Sequence, residues 1–308
     1  ENYRGTMKKL NTLVEDIYSK LSVLGKGESL NLSDEVIDKF GEDMKEALRH
    51  WSTPTERSTE TLRMSNIGRP NRQLWYDMKY PDESNSIAPS TFIKFLYGHL
   101  LEEVVLLLVR LAGHDVTDEQ KNVKVKGVEG HMDCVIDGEV IDVKTASGFA
   151  FKKFRDGTLA EDDTFGYLAQ LAGYEAGHGT SEGGFLAMNK ESGELALYIP
   201  EELDKPNIQS KISKVKKSLK VDTPPEICYT PIPDGKSGNM KLARGCFFCR
   251  HKVECHKDTN NGKGLRVFKY ANGLSYLTQV VKEPKVEEIT NEFKARKENK
   301  KARTTLNG

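Results

Sequence analysis

Between Gly130 and Thr145 the chain reads Gly-His-Met-Asp-Cys-Val-Ile-Asp-Gly-Glu-Val-Ile-Asp-Val-Lys-Thr, and few architectures accept such a run. Asp137-Gly138, flanked by alternating residues, is a strong signal for a two-residue hairpin turn, because both central positions of that turn need the left-handed backbone region. The turn sets the register, so Ile136 faces Glu139 and Asp133 faces Asp142. Side chains alternate between the faces of a strand. Met132, Cys134, Ile136, Ile141 and Val143 therefore share a wholly apolar face. His131, Asp133, Val135, Val140, Asp142 and Lys144 share the other.

Two carboxylates directly opposite one another repel and weaken an antiparallel pair. A divalent cation between them removes the problem, and Mg²⁺ is at home with one or two carboxylates plus waters and phosphate oxygens; Mn²⁺ is the alternative ion. Lys144, two residues from Asp142 on the same face, is placed to orient or deprotonate a water or to stabilise charge at phosphorus. The set suits metal-assisted phosphodiester hydrolysis. An acidic residue two before a lysine is uninformative by itself, since it recurs at Asp43, Asp77, Glu119 and Asp234. What marks this copy is the opposing Asp133 and the apolar reverse face. The competing reading is an exposed edge hairpin with ordinary polar residues.

Around the hairpin the pattern supplies helices and further strands. Residues 8–62 read as helical and polar, with Leu10, Leu13, Val14, Ile17 and Leu21 at helical spacing and Ser33-Asp34-Glu35 opening a second helix. A turn-rich stretch around Pro54 and a short helix over 72–80 follow. Pro89-Ser90-Thr91 starts a long helix that runs to Leu111 or Ala112, where Gly113 ends it. Strands are expected at 122–126, 131–136, 139–145, 184–189 and 194–199, with helices at 167–176 and 207–221. This order makes an α/β sandwich around a small mixed sheet. The lysines of the last helix, Lys214 and Lys217 among them, form either a solvated face or a contact with the DNA backbone.

At this point the residues resemble a family. Gly-His-Met-Asp133 followed nine residues on by Asp142-Val-Lys144 is similar to the PD-(D/E)xK nuclease superfamily, with Met132 in place of the proline that names the motif. Gln170-Leu-Ala-Gly-Tyr174 on the next helix matches the Gln-x-x-x-Tyr element of its RecB-like, lambda-exonuclease-like branch. The resemblance implies a restriction-endonuclease-like central mixed sheet flanked by helices. It also implies that Gln170 and Tyr174 help hold the site and the DNA strand, and that the preceding helix supplies an acidic metal ligand. Glu102 and Glu103 stand at that place and point about 100° apart. Glu102, on the stripe of His99 and Phe95, is the preferred ligand beside Asp133 and Asp142.

Cys246, Cys249 and Cys255 make a C-x2-C-x5-C set, and Cys228 precedes it by eighteen residues. Four thiolates suit structural Zn²⁺ or a [4Fe-4S] cluster, with His251 and His256 as alternative ligands. Cys134, on the apolar hairpin face, reads as core. The trio resembles that of iron–sulfur RecB-like nucleases of phages and CRISPR adaptation, whose first cysteine comes from a segment nearer the N-terminus. Here Pro70 occupies that place. With Cys228 in its stead all four ligands are local, which favours zinc. In the same segment Arg69 and Arg72 precede Trp75 and Tyr76, a mixture suited to phosphate contact and base stacking, or equally to helix capping and core.

Lys plus Arg and Asp plus Glu both number 46. Zero net charge argues against coating nucleic acid by bulk electrostatics, but leaves room for a local basic groove beside an acidic metal site. The longest apolar run, 104–109, is too short to span a bilayer. Met7-Lys8-Lys9 leads into an amphipathic pattern, so no signal peptide is expected, and residues 1–6 carry no weight. Clustered cysteines point to a reducing cytoplasm, bacterial or phage-infected. The readings divide the chain into a helical N-terminal region (1–62), a nuclease core (63–226), a cysteine lobe (227–284) and a charged, disordered tail (285–308). The expected activity is metal-dependent DNA hydrolysis. The resemblance favours an exonuclease of phage recombination, replication or degradation, working with partner proteins of those processes. The rivals are a non-catalytic DNA-binding module that keeps the fold and a metal-stabilised adaptor.

Overall fold

The computed structural model describes residues 8–53, 61–80 and 88–295. The turn expected around Pro54 and the end of the charged tail lie outside the described residues. The chain divides into two compact units. One comprises Glu1–Ser58, Leu62–Gly68 and Ile87–Ser213; the other comprises Thr59–Thr61, Arg69–Ser86 and Lys214–Gly308. The boundaries expected at 62, 226 and 284 do not follow this division. The helix just after Pro70 is held by partners more than a hundred residues away: Trp75 Nε1 donates to Val221 O (2.9 Å) and Arg250 Nε donates to Asp77 Oδ1 (2.9 Å). No local pattern could report that.

The helices are α1 (Leu13–Gly25), α2 (Asp34–Ser52), α3 (Met64–Ile67), α4 (Asn71–Lys79), α5 (Pro89–Leu111), α6 (Gly148–Arg155), α7 (Tyr167–His178) and α8 (Ile208–Ser218). The strands of the first unit are β1 (Val116–Thr117), β2 (Asn122–Val125), β3 (Val128–His131), β4 (Cys134–Ile136), β5 (Glu139–Ala146), β6 (Gly184–Asn189) and β7 (Leu195–Tyr198). Helix boundaries follow the capping chemistry. Ser33 Oγ accepts from Val36 N–H at the start of α2, Pro89 opens α5, and Gly113 closes it with φ 83°.

The central sheet has the order β1-β4-β5-β6-β7 and is mixed. The β5–β6 pair is parallel and its other pairs are antiparallel. Its apolar face packs on α1 and α5: Cys134, Ile136, Ile141, Val143 and Leu186 share a buried cluster with Leu13, Ile17, Val105 and Val109. Each such side chain contributes roughly 1.5–3 kcal/mol of burial. The reverse face meets α6 and α7, where Phe154 and Tyr167 pack against Phe185 of β6. A central mixed sheet flanked by helices is thus the architecture of this unit. Helix α6 escapes the sequence reading, and α7 runs two residues past its expected end.

In the second unit, β8 (Ile232–Pro233), β9 (Met240–Lys241), β10 (Arg266–Tyr270), β11 (Gly273–Gln279) and β12 (Glu287–Glu288) form an antiparallel sheet of order β12-β10-β11-β9-β8. The disorder expected from Lys285 is corrected at its near end. β12 pairs with β10, residues 290–295 are helical, and Ile289 and Phe293 pack against Leu242, Val267 and Tyr276. Two apolar anchors suffice to order a charged run.

Candidate active site

The hairpin forms as its residues demand. Asp137 and Gly138 take φ of 51° and 93°, and Cys134, Val135 and Ile136 pair with Ile141, Val140 and Glu139. The strand expected over 131–136 is interrupted, however. Met132 N–H donates to Lys121 O and Gln120 N–H donates to Asp133 O, both at 3.0 Å. Asp118 and Gln120 hold left-handed conformations to make this possible. Asp133 therefore leaves the ladder, and its Oδ2 accepts the Val143 N–H at 2.8 Å.

Asp142 is 1% exposed. Its Oδ1 is buried and has no hydrogen-bond partner among the described residues, while Lys144 Nζ ion-pairs with Oδ2. Burial works against the Lys144 charge, but Asp142 and Asp133 outweigh it and hold the ammonium protonated well above its usual range. Burial and then the Asp142 charge push Asp133 up to about 7. Burial, followed by Asp133 and Glu103, pushes Glu102 up to about 9. Gln120, which the sequence reading missed, donates through Nε2 to Glu102 Oε1 (3.0 Å).

Of the two glutamates, Glu102 is the one that shares an environment with Asp133, Asp142 and Lys144. Glu103 joins Asp43 and Glu119, and this is the acidic trio whose oxygens come within 4.8 Å of one another among the described residues. Glu102, Asp133 and Asp142 are spread more widely. Arg110 reaches Glu119 (2.6 Å) and Asp43 (3.6 Å), and Lys39 reaches both, so ion pairs between α2, α5 and the loop before β2 hold two of the trio, while Glu103 Oε2 is buried with no hydrogen-bond partner among the described residues.

Gln170 and Tyr174 lie one turn apart on α7, with Gln170 Nε2 donating to the Tyr174 hydroxyl (2.9 Å). Tyr174 is buried, and that burial, then the charges of Asp142 and Asp133, raise its hydroxyl pKa. Close packing brings α7 here. A Cβ on Gly173 would lie 2.4 Å from Met64 Sδ, and one on Gly130 would lie 2.6 Å from Met64 Cβ and 3.0 Å from Tyr174 Cε1. Tyr167, also missed, has its ring centre 5.1 Å from Lys144 Nζ.

In the second unit Cys228, Cys246, Cys249 and Cys255 line one cavity with Arg72, Tyr76, His251 and His256. Burial raises the thiol of Cys246 to about 12 and those of Cys228 and Cys249 above their usual value. Arg72, expected at DNA, is engaged here instead. Its Nε donates to Cys255 Sγ (3.0 Å) and its Nη1 to Pro225 O, since a guanidinium among sulfurs and a carbonyl finds its acceptors locally. Arg69 pairs with Asp77 (3.3 Å). His251 is committed to Asp77 through Nε2 (2.7 Å), whereas His256 Nε2 is buried without a partner among the described residues. Lys214 and Lys217 are exposed on α8.

No family model and no curated protein matches the chain. Among solved structures, one titled "Crystal structure of SSO0001" shares 21% identity with it, covering 60% of this chain and 85% of that one, at a TM-score of 0.34. That likeness is too distant to assign a fold or an activity. No described helix is long and apolar enough to cross a membrane.

Proposed function

We propose that the first unit is a divalent-metal-dependent deoxyribonuclease of restriction-endonuclease-like fold, hydrolysing phosphodiesters at Asp133, Asp142 and Lys144. The observation that carries this reading is Asp142 Oδ1, a buried carboxylate oxygen without a donor among the described residues, set beside Asp133 and Lys144. An unsatisfied oxygen of this kind costs free energy, and beside a second carboxylate a cation is a ligand that would satisfy it. Asp142 and Asp133 would supply the hard oxygen donors that Mg²⁺ or Mn²⁺ takes, and Glu102, with the three spread too widely to meet at one point, would reach such an ion through a bound water. Such an ion supplies Lewis-acid polarisation and a more acidic water.

The chain's own residues do the rest. Water oxygen bonds to phosphorus and releases a proton to solvent, the ester P–O bond breaks, and the departing oxygen takes up a proton that solvent restores to its donor. Lys144, beside Asp142, is placed to offer charge to the phosphoryl oxygens and a proton to the departing oxygen. Gln170 and Tyr174 wall the site with one donor network. Exonuclease action in recombination, replication or degradation of phage or bacterial DNA is the form we assign, on the resemblance of the motifs.

The four cysteines we assign to a structural metal. One zinc ion would hold its sulfurs about 3.8 Å apart, from Zn–S bonds of about 2.3 Å in a tetrahedron. Zinc and a [4Fe-4S] cluster both take four thiolates, and the four cysteines that line one cavity suit either. The lobe's metal is separate from the catalytic ion.

The test is incubation of the protein with end-labelled linear and closed circular DNA, with and without Mg²⁺ or Mn²⁺. Metal-dependent loss of the linear substrate is expected, and Asp142→Ala and Lys144→Ala should each reduce it by about a hundredfold or more while remaining folded. Wild-type cleavage by both variants would place the chemistry elsewhere. A folded wild-type protein that binds DNA and never cuts it would favour the non-catalytic module.

A further inference from the structure

Phe165 leaves 68% of its surface in solvent, yet it belongs to an ordered column of rings. It stacks on Tyr167 with centroids 5.5 Å apart and planes 27° from parallel. Tyr167 in turn packs against Phe185 (6.3 Å), a fully buried residue whose register partner across β5–β6 is Asp142. Lys144 Nζ lies over the Tyr167 ring. The column thus runs from the floor of the site, past the lysine, to an open aromatic face.

An exposed phenylalanine is ordinary by itself. What sets this one apart is how firmly its loop is built. The Asp163 carboxylate accepts from the N–H groups of Tyr167 (2.8 Å) and Leu168 (2.9 Å), capping α7. Gly166 holds φ 77°, and its backbone crosses that of Gly68 so closely that a Cβ on Gly68 would stand 2.1 Å from Gly166 O. The Phe165 ring thus faces solvent from an ordered loop and is stacked on Tyr167, whose own ring lies under Lys144 Nζ, so a flat group bound beside the lysine could reach it.

We propose that Phe165 is a stacking platform for a nucleobase of single-stranded DNA, or of a frayed end, whose phosphate sits at Lys144 and the Asp133–Asp142 pair. The proposal rests on the nuclease reading and narrows its substrate class. Inside a duplex both faces of every base are covered by neighbours, whereas a single strand offers free π faces, and aromatic side chains bind them without regard to sequence. Tyr167 beneath Phe165 fixes the platform's height, and Lys144 supplies the adjacent positive charge.

The experiment uses the full chain with Ca²⁺ in place of Mg²⁺. Anisotropy of a labelled oligothymidylate, and quenching of a terminal 2-aminopurine, report binding and stacking. Phe165→Ala should weaken single-strand binding about tenfold and abolish the quenching, with a much smaller effect on a blunt duplex; Phe165→Trp should restore both. Single-strand binding and quenching that survive Phe165→Ala in a protein that cleaves DNA would overturn this proposal alone. An equal loss on duplex and single strand would overturn it too. Wild-type protein that neither binds nor cleaves DNA would remove the nuclease reading and this proposal together.

Discussion

Glu102 and Glu103 are adjacent in sequence and belong to different chemistry. Their bearings on α5 send Glu102 toward Asp133 and Gln120, and Glu103 toward Asp43 and Glu119. The sequence makes legible the angle between them and, from the stripe of His99 and Phe95, a preference for Glu102; Gln120 and Glu119 come from a loop whose left-handed residues carry no strong local signal. Both carboxyls hold their protons unusually well, Glu102 up to about 9 and Glu103 up to about 7, and burial is the first cause in each. The native state therefore binds more protons than the unfolded chain above the ordinary glutamate value of 4.5. Stability of the metal-free protein should fall as pH rises from about 5 toward 9. Mg²⁺ or Mn²⁺ displaces the proton from the Glu102 site, so the rise in thermal midpoint on adding metal should grow with pH. Glu102→Gln should flatten the upper part of this dependence and lose most of the metal response. Glu103→Gln should stabilise the metal-free protein near neutral pH and keep the response. Scanning calorimetry at several pH values decides; equal metal responses in the two variants would undo the assignment of Glu102.

At the scale of elements, legibility follows how local the causes are. The β4–β5 register and the bounds of α5 were readable because turn chemistry, a proline at the start and a glycine at the end write them into neighbouring residues. The break at Met132–Asp133 was not, because its cause is a hydrogen-bonding loop a dozen residues earlier. The β10–β11 hairpin was missed because its turn, Ala271-Asn272 with Gly273 already paired to Tyr270, is not the two-residue pattern that Asp137-Gly138 shows. The crossing of Gly68 and Gly166 was invisible, since nothing in either neighbourhood names the other. That crossing gives a clean comparison. Gly68→Ala must push backbone from backbone and should cost about 3 kcal/mol, near the upper end for overpacking. Gly138→Ala meets open space and bears only its φ of 93°, a cost of about 1 kcal/mol. Urea titration of both variants measures the difference, and a Gly68→Ala protein as stable as wild type would mean that the two segments separate readily. Because the same contact carries the Phe165 loop, Gly68→Ala should also weaken single-strand binding.

Across the whole molecule, equal numbers of acidic and basic residues leave function to local arrangement, and the two units carry different kinds of arrangement. The sequence marks both candidate sites, the hairpin and the cysteines, yet could not show that residues 69–80 join the unit of the cysteines. Arg72 makes the point, for the side chain that looked like a phosphate contact donates to Cys255 Sγ. If the cysteines hold a metal, its binding is coupled to folding of this unit, because the cavity is lined from 72–76, from Cys228–Tyr229 and from 245–256. Four thiolates saturate such a site and leave no position for a reacting water. Cys246→Ser should therefore lose metal and thermal stability together, with the midpoint falling by roughly 4–8 °C for each kcal/mol lost. Cleavage should decline only as far as the folded fraction declines. Elemental analysis of anaerobically purified protein, with its visible absorbance, separates iron–sulfur from zinc, and His256→Ala tests whether the unpartnered Nε2 is a ligand. A Cys246→Ser protein that is fully folded, retains Mg²⁺ binding and has lost all cleavage would show that the cysteines take part in the reaction and do more than hold the fold.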